Sequence, residues 1–418
     1  MSITETRSLL EELRASYGPV FEEIGLGTLQ RELDDVLPDQ EVRRLKERGF
    51  GALRVPTRYG GRGASIPELT QLWIDLAAAD SNLPQALRGH AALVEDRLWQ
   101  HARGRDQRVW FDRFVDGEIA GNAWSEVGAT AIDSQQTVLT AQPDGSFRLT
   151  GSKFYTTGTI YAEWADVYAR IVRESAEGTG LGQEPEFAIA IVDTREPEVT
   201  VTDDWDGFGQ RGTGSGTTTF DGAIVAAADV LPFGERFPYQ TALYQLNLLA
   251  VLAGIGRAAV DDFVEHVRNR ERNYSHANAA RVRDDPQVLA RIGEASAAVY
   301  AAEAAALRVA HAVQEVADLA AVAADVPEQV AAANERAEIE SSAAQVVVTD
   351  LVLRLTSDLF DTLGASGTAI AKGLDRHWRN ARTVSSHNPR ILKARVVGGH
   401  LVNGTPPPYA WAIGRTAR

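Results

Sequence analysis

The feature that most restricts this chain is a double change of hydrophobic period. From about Thr4 to Asp116 apolar residues recur at helical spacing, as in Leu69, Leu72, Trp73 and Leu76 and again in Leu87, Leu93, Val94 and Leu98. From about Glu118 to Pro232 the pattern turns to short β-type runs, Phe147 to Thr150, Val167 to Val172, Phe187 to Val192 and Gly216 to Phe220, punctuated by Asp144-Gly145 and Asp221-Gly222. From about Tyr239 to Ser386 long Ala-, Leu- and Val-rich segments with i, i+3, i+4 spacing return, broken at Asp284-Asp285-Pro286 and Asp325-Val326-Pro327. The expected fold is mainly α with a central β domain: a helical domain over 1–117, a middle β domain over 118–233 and a C-terminal helical bundle over 234–418. The Ala-rich stretch from Ala295 to Ala344 has charges at helix-compatible intervals and an apolar stripe, which favours a packed helix pair.

Composition removes several functions. With 418 residues the chain can bury a large core and shape an internal pocket. Lys and Arg number 42 against 57 Asp and Glu, a net charge of −15 that repels nucleic acid and anionic lipid. The absence of cysteine excludes disulfides, thiolate zinc sites and thiol nucleophiles, and fits a cytoplasmic protein. The opening MSITETRSLLEEL has no basic and apolar leader pattern, and no stretch approaches a membrane span of about 18 uncharged apolar residues, so neither export nor a membrane role is expected.

Several segments carry residues suited to chemistry. In GFGALRVPTRYGGRG, from Gly49, a glycine-rich turn lets the backbone pass close to a neighbour. GNAWSEVGA, Gly121 to Ala129, offers a hydroxyl, a carboxylate and glycine-freed N–H groups suited to the polar edge of a flat heterocycle and a nearby phosphate. In LTGSKFYTTGTIYAEWAD, Leu149 to Asp166, Tyr155, Thr156 and Thr157 are expected on a strand, alternating sides so that an aromatic and a hydroxyl face one pocket. Trp205, beside Phe208-Gly209, can wall an aromatic pocket. There is no G-x-G-x-x-G after a strand, hence no nicotinamide site.

In order and spacing these segments resemble the acyl-CoA dehydrogenase superfamily. DWDGFGQRGTGSGTTTFDGAIVAAADVL from Asp204, LAGIGRAAVDDFVEHVRNRERNY in the first bundle helix, and DTLGASGTAIAKGLDRHWRNARTVSSHNP from Asp361 continue the likeness over nearly the whole chain. The resemblance implies the family fold, an N-terminal helical domain, a β-barrel-like middle domain and a four-helix bundle, arranged around a flavin. It assigns Asn122 and Ser125 to the flavin ring or its substrate side, Tyr155 and Thr156 to flavin binding, Thr157 to the N5 edge, and Arg270 and Arg272 to the flavin phosphate, reached across a subunit interface in many members. A homotetramer is implied in the same way.

One departure redirects the chemistry. Dehydrogenases of the family use a carboxylate base, in many members a Glu after the last bundle helix, and here that stretch reads TVSSHNP, with no Asp or Glu. The pattern RHWRNARTVSSHNP, Arg376 to Pro389, instead resembles the flavin-dependent monooxygenase branch, whose equivalent of His387 supports a flavin C4a-hydroperoxide; an imidazole titrating near neutrality suits proton delivery there. His90 is a second catalytic candidate on the substrate side, and Ser386 beside His387 a substrate contact. The implied activity is a two-component monooxygenase using molecular oxygen and reduced FMN from a separate NAD(P)H:flavin reductase to oxygenate a small organic substrate at a heteroatom or electron-rich carbon. The turn Gly364-Ala365-Ser366-Gly367 is closer to the dehydrogenase pattern, which keeps FAD as the alternative flavin and an acyl-CoA dehydrogenase or oxidase with a displaced carboxylate base as the alternative activity.

Overall fold

A computed structural model describes residues 8–126, 135–172, 186–322 and 327–409. Val127, Gly128 and Ala129 of the GNAWSEVGA segment, and Asp325 and Val326 of the second bundle break, lie outside these residues.

The helical first block comprises α1 (Leu9–Asp34), α2 (Asp39–Glu47), α3 (Ile66–Ala79), α4 (Asn82–Ala86), α5 (Arg88–Ala102) and α6 (Arg108–Val115). Local sequence sets the ends of these helices. Ser8 and Ser65 each close a reciprocal capping box, with Glu11 and Glu68, at the starts of α1 and α3, satisfying N–H groups that have no intrahelical partner. The Leu69, Leu72, Trp73 and Leu76 stripe of α3 is buried against the bundle.

Eight strands follow: β1 (Ala120–Ala123), β2 (Val138–Ala141), β3 (Phe147–Lys153), β4 (Trp164–Val172), β5 (Phe187–Asp193), β6 (Val199–Thr202), β7 (Thr217–Val225) and β8 (Val230–Pro232). They pair in the order β6-β7-β3-β2-β4-β5-β8. β1 and β2 lie one after the other along the same edge of β4, both parallel to it, Ala120 opposite Trp164 and Val138 opposite Arg170. All other pairs are antiparallel. The sheet curls so that Ala188, Ala190 and Val192 of β5 share one core with Phe220, Ala223 and Val225 of β7.

The last block holds α7 (Gln240–Asn269), α8 (Pro286–Val322), α9 (Pro327–Asp358), α10 (Asp375–Ser386) and α11 (Lys393–Asn403). The Ala-rich stretch forms the helix pair α8 and α9, in which Ala302, Ala306, Val309, Val313 and Val316 alternate steps of four and three residues to make a narrow seam. α7 alone among the described helices is long and apolar enough to cross a membrane, yet most of its apolar stretch is buried inside the protein, where it forms the bundle's central helix. Glu338 of α9 caps α7, accepting the Ala242 N–H in its first turn beside Lys393, and burial pushes its carboxyl up to about 8.

Candidate active site

Three structural blocks meet around the start of α5. Arg88, its first residue, is 5 % exposed, and its Nη2 donates to Nε2 of His387, the residue that caps the C-terminus of α10, at 2.9 Å. The guanidinium lies 4.8 Å from the centroid of the Tyr244 ring on α7, and Tyr244 in turn meets Trp124 edge-on at 5.7 Å. Gly89 brings α5 against β1 so closely that a Cβ there would lie 2.9 Å from Cβ and N of Asn122. Asn122 N–H donates to Thr157 O at 3.2 Å.

Tyr155, Thr156 and Thr157 are not on a strand. β3 ends at Lys153, and the chain turns inward, burying Thr156 and Thr157 together while Tyr155 stays 44 % exposed. The turn is possible because Gly158 takes φ +78°, and because it lacks a Cβ, which would sit 2.0 Å from Ala86 O of α4. Two backbone bonds, Thr156 N–H to Gly216 O at 2.9 Å and Gly158 N–H to Thr213 O at 3.0 Å, fasten this segment to the loop before β7. The result is a buried chain of hydroxyls: Thr157 Oγ1 to Ser215 Oγ at 2.8 Å, and Ser215 Oγ to Thr213 Oγ1 at 2.7 Å. The same loop is tied to α10 by Gln210 N–H to Asn380 Oδ1 at 2.6 Å and to α4 by Gln210 Nε2 to Ser81 Oγ at 2.9 Å.

Lys153, wholly buried at the end of β3, fixes the Asn122–Glu126 segment. Its ammonium donates to Glu126 Oε1 at 2.8 Å, to Trp124 O at 3.3 Å and to Gln135 Oε1. Glu126 also accepts the N–H groups of Gln136 and Thr137, and Ser125 O accepts Phe154 N–H at 2.9 Å.

The electrostatics differ from the sequence expectation. His387 is open to solvent although protein surrounds it, and that surrounding protein together with the Arg88 charge pushes its imidazole well below the ordinary range. Because an arginine can only donate, His387 Nε2 is the acceptor, and the neutral ring keeps its proton on Nδ1. The expectation of an imidazole titrating near neutrality is therefore corrected for this arrangement.

His90 does not face the site. Its Nε2–H donates to Gly51 O at 2.9 Å, Nδ1 accepts Ala120 N–H at 3.3 Å, and the ring meets Phe114 edge-on, so both nitrogens are occupied by backbone and burial pushes the pKa down to about 4. It fastens α5 to the turn after α2 and to β1, a positioning role in place of the expected catalytic one. Arg270 and Arg272 are also remote: Arg270, at the end of α7, lies roughly seven turns and 39 Å beyond Tyr244 along that helix. Arg270 donates to Leu363 O and, at 3.1 Å, to Arg272 O, so in one chain neither arginine reaches the Arg88 cluster. Ser386 is exposed and bonds back to Arg382 O at 2.8 Å. Trp205, half-buried, stands edge-on to Tyr155 at 5.5 Å and lines a polar cavity of about 160 Å³ with Arg31, Asn82 and Arg211.

A flavin fits this donor and acceptor set. Asn122 Oδ1 and the Tyr244 hydroxyl are buried without partners, and the Ser125 and Thr157 hydroxyls lie on the segments beside them, so both N–H and C=O groups of a flavin ring would find complements. Carboxylates are otherwise engaged: among the described residues Glu95 pairs with Arg54, Asp96 with Arg97, Asp166 with Arg236 and Glu126 with Lys153. Glu338, at Ala242, sits about 200° around α7 from Tyr244, on the other side of the helix. Arg88, Tyr244 and Ser215 were missed from the sequence; the signal for Arg88 was an arginine inside the apolar pattern of NLPQALRGHAALVED.

The acyl-CoA dehydrogenase N-terminal domain family matches residues 20–118, and the acyl-CoA dehydrogenase C-terminal domain family matches residues 246–389. Dibenzothiophene monooxygenase of Rhodococcus qingshengii is 29 % identical over 375 residues, 87 % of this chain and 86 % of its own. A probable FMNH2-dependent monooxygenase of Pseudomonas putida is 26 % identical over 381 residues, 88 % and 89 % of the two chains. The structure of TdsC from Paenibacillus sp. A11-2 with FMN and indole superposes with a TM-score of 0.84 at 27 % identity, covering 95 % of this chain and 98 % of that one. The two family matches and the whole-chain superposition agree with the layered architecture and with the motifs from Gly49 to Pro389: the chain belongs to the acyl-CoA dehydrogenase superfamily.

Proposed function

We propose that this protein is the oxygenase component of a two-component monooxygenase that uses reduced FMN to place one atom of molecular oxygen on a small organic substrate, at a heteroatom or electron-rich carbon. The observation that carries the reading is the pairing at the end of α10. Where a dehydrogenase needs a carboxylate to take a proton, this chain presents His387 with its Nε2 held by a buried arginine. A guanidinium paired with His387 lowers the basicity of that imidazole and favours anionic oxygen species beside it. The monooxygenase relatives and the FMN-bound neighbour support the same reading.

Bound reduced flavin would supply the two electrons that take the second oxygen atom to water. The chain's own residues do the rest. Asn122, Ser125 and Thr157, the last set by Ser215, hold and orient the ring; Tyr244 and Trp124 wall the site against water; His387 holds a proton on Nδ1 while Arg88 fixes Nε2. With no nicotinamide motif in the chain, a separate NAD(P)H:flavin reductase is the electron source, and a cytoplasmic location belongs to the same reading. Leu289 and Tyr300 on α8 and Leu401 and Val402 on α11 stand in water in the single chain, which supports a homotetramer that covers them.

The test is to mix the purified protein and reduced FMN, prepared without oxygen, with oxygenated buffer, using indole and indole-3-carboxylate as probes and following flavin absorbance, oxygenated product and hydrogen peroxide. An oxygenated product of either probe from the wild type, with His387→Ala diverting most of the oxygen to peroxide, is the expected result. Immediate flavin oxidation with no product, together with bleaching of bound oxidised flavin by butyryl-CoA, would overturn it.

A further inference from the structure

Four arginines are buried among the described residues: Arg88, Arg97, Arg236 and Arg376. Three of them meet a carboxylate, Arg97 with Asp96 at 2.6 Å, Arg236 with Asp166 at 2.7 Å and Arg376 with Asp262 at 2.5 Å. Arg88 meets none. Its polar neighbours are a neutral imidazole and the face of a phenol ring, and its Nε is buried without any partner. Burial pushes the guanidinium down to about 10, so it is still a cation at neutral pH.

A buried charge with no counter-ion costs several kcal/mol, and folds keep one where a ligand brings the opposite charge. The surroundings narrow the ligand. The unpartnered Tyr244 hydroxyl stands by the guanidinium, Asn122 is packed on the next residue of α5, and His387, held by Nη2 of Arg88, opens to solvent. With Nη2 donating to His387, the unpartnered Nε–H and the remaining guanidinium hydrogens suit a carboxylate, which brings the charge this cation lacks. An ether, a thioether or a hydrocarbon ring would leave the charge uncompensated.

We propose that the substrate of this enzyme carries a carboxylate, which pairs with Arg88 and thereby anchors the molecule beside His387. That this anchored molecule is the one oxygenated rests on the monooxygenase reading above; the binding of a carboxylate does not. The negative charge of reduced flavin is the other source of such a partner, and the test separates the two.

Benzoate and benzamide, equal in shape and different in charge, are titrated calorimetrically into the FMN-loaded wild type, Arg88→Lys and Arg88→Met, with circular dichroism confirming the fold of each. Benzoate is expected to bind at least tenfold more tightly than benzamide to the wild type. Arg88→Lys should keep part of that preference and Arg88→Met none. Equal binding of the two probes to the wild type, no binding of benzoate, or a preference that survives in Arg88→Met overturns the proposal. Should Arg88→Met not fold, the wild-type ratio and Arg88→Lys still decide it. In a second arm, oxidised and reduced FMN are titrated into wild type and Arg88→Met. A loss confined to reduced FMN, with benzoate and benzamide bound alike, assigns the charge to the flavin and overturns the substrate assignment. Failure of the monooxygenase reading has a different signature, wild-type protein that binds benzoate selectively yet makes no oxygenated product from reduced FMN and oxygen.

Discussion

Arg88 Nη2 donates to His387 Nε2 across 2.9 Å, joining residues 299 positions apart and with them the first helical block to the C-terminal end of α10. The bond determines which proton His387 carries. It should also be measurable: in Arg88→Met the His387 imidazole loses a neighbouring cation and recovers Nε2 as a site of protonation, so its pKa rises, while desolvation by the surrounding protein, the larger cause, still holds it below the ordinary 6.5. NMR of protein labelled at histidine nitrogen, with His387→Ala to assign the signal, should show a low titration in the wild type and a higher one in the variant. An unchanged titration would mean that Arg88 does not control the ring.

Lys153 presents a buried ion pair whose removal is asymmetric. Lys153→Met leaves Glu126 without its cation and releases Trp124 O, and loss of one partner of a buried pair costs about 3–5 kcal/mol. Glu126→Gln added to Lys153→Met removes the stranded charge, so the double variant should be more stable than the single one by more than 1 kcal/mol on the order expected for an unpaired buried charge. Urea unfolding of both, with FMN affinity read in parallel, checks the stability and the claim that Lys153 positions the Asn122 segment.

His90 gives a pH signature. Its pKa in the folded protein, about 4, lies below the ordinary 6.5, so between these values the unfolded chain binds a proton that the native protein does not. The stabilisation is complete above pH 6.5 and is lost as pH falls toward 4; at 1.36 kcal/mol per pH unit the interval amounts to about 3 kcal/mol. His90→Phe should lose about 2–5 kcal/mol at pH 7.5 by stranding Gly51 O and Ala120 N–H. Its unfolding free energy should then depend less steeply on pH between 6.5 and 4, by up to one proton. An unaltered slope would show that another group carries it.

The layers were legible because they rest on local patterning: the seam of Ala302, Val309 and Val316 and the alternation along Phe147, Leu149 and Gly151 need only their own neighbours to be recognised. The Tyr155-Thr156-Thr157 segment was misread as strand because β-propensity continues past Lys153, while the turn depends on Ala86 O, on another helix, excluding any side chain at position 158. The site was half legible. Asn122, Thr157 and His387 are candidates that the family resemblance offers, and the fold brings them near one another, whereas Arg88 with His387 and Thr157 with Ser215 are tertiary pairs that no spacing encodes. His90 and Arg270 show the converse, residue types suited to chemistry whose polar atoms the fold spends on backbone carbonyls and amides.

The distance of Arg270 from Tyr244 makes its role a question of assembly. If its charge serves a flavin, that flavin lies in another copy of the chain, since one rigid helix separates the two ends of α7 by roughly 39 Å. Arg270→Ala and His387→Ala would then damage different halves of a shared site. Each homo-oligomer should lose most of its coupled oxygenation, yet co-expressed chains should regain part of it, because some sites in the hybrids receive an intact arginine from one chain and an intact histidine from the other. Oxygenated product per reduced FMN consumed, measured on tandem-tagged hybrids, reads this directly. Hybrids no better than the mean of the parents would confine Arg270 to its bonds with Leu363 O and Arg272 O, holding the turn after α9 against the end of α7.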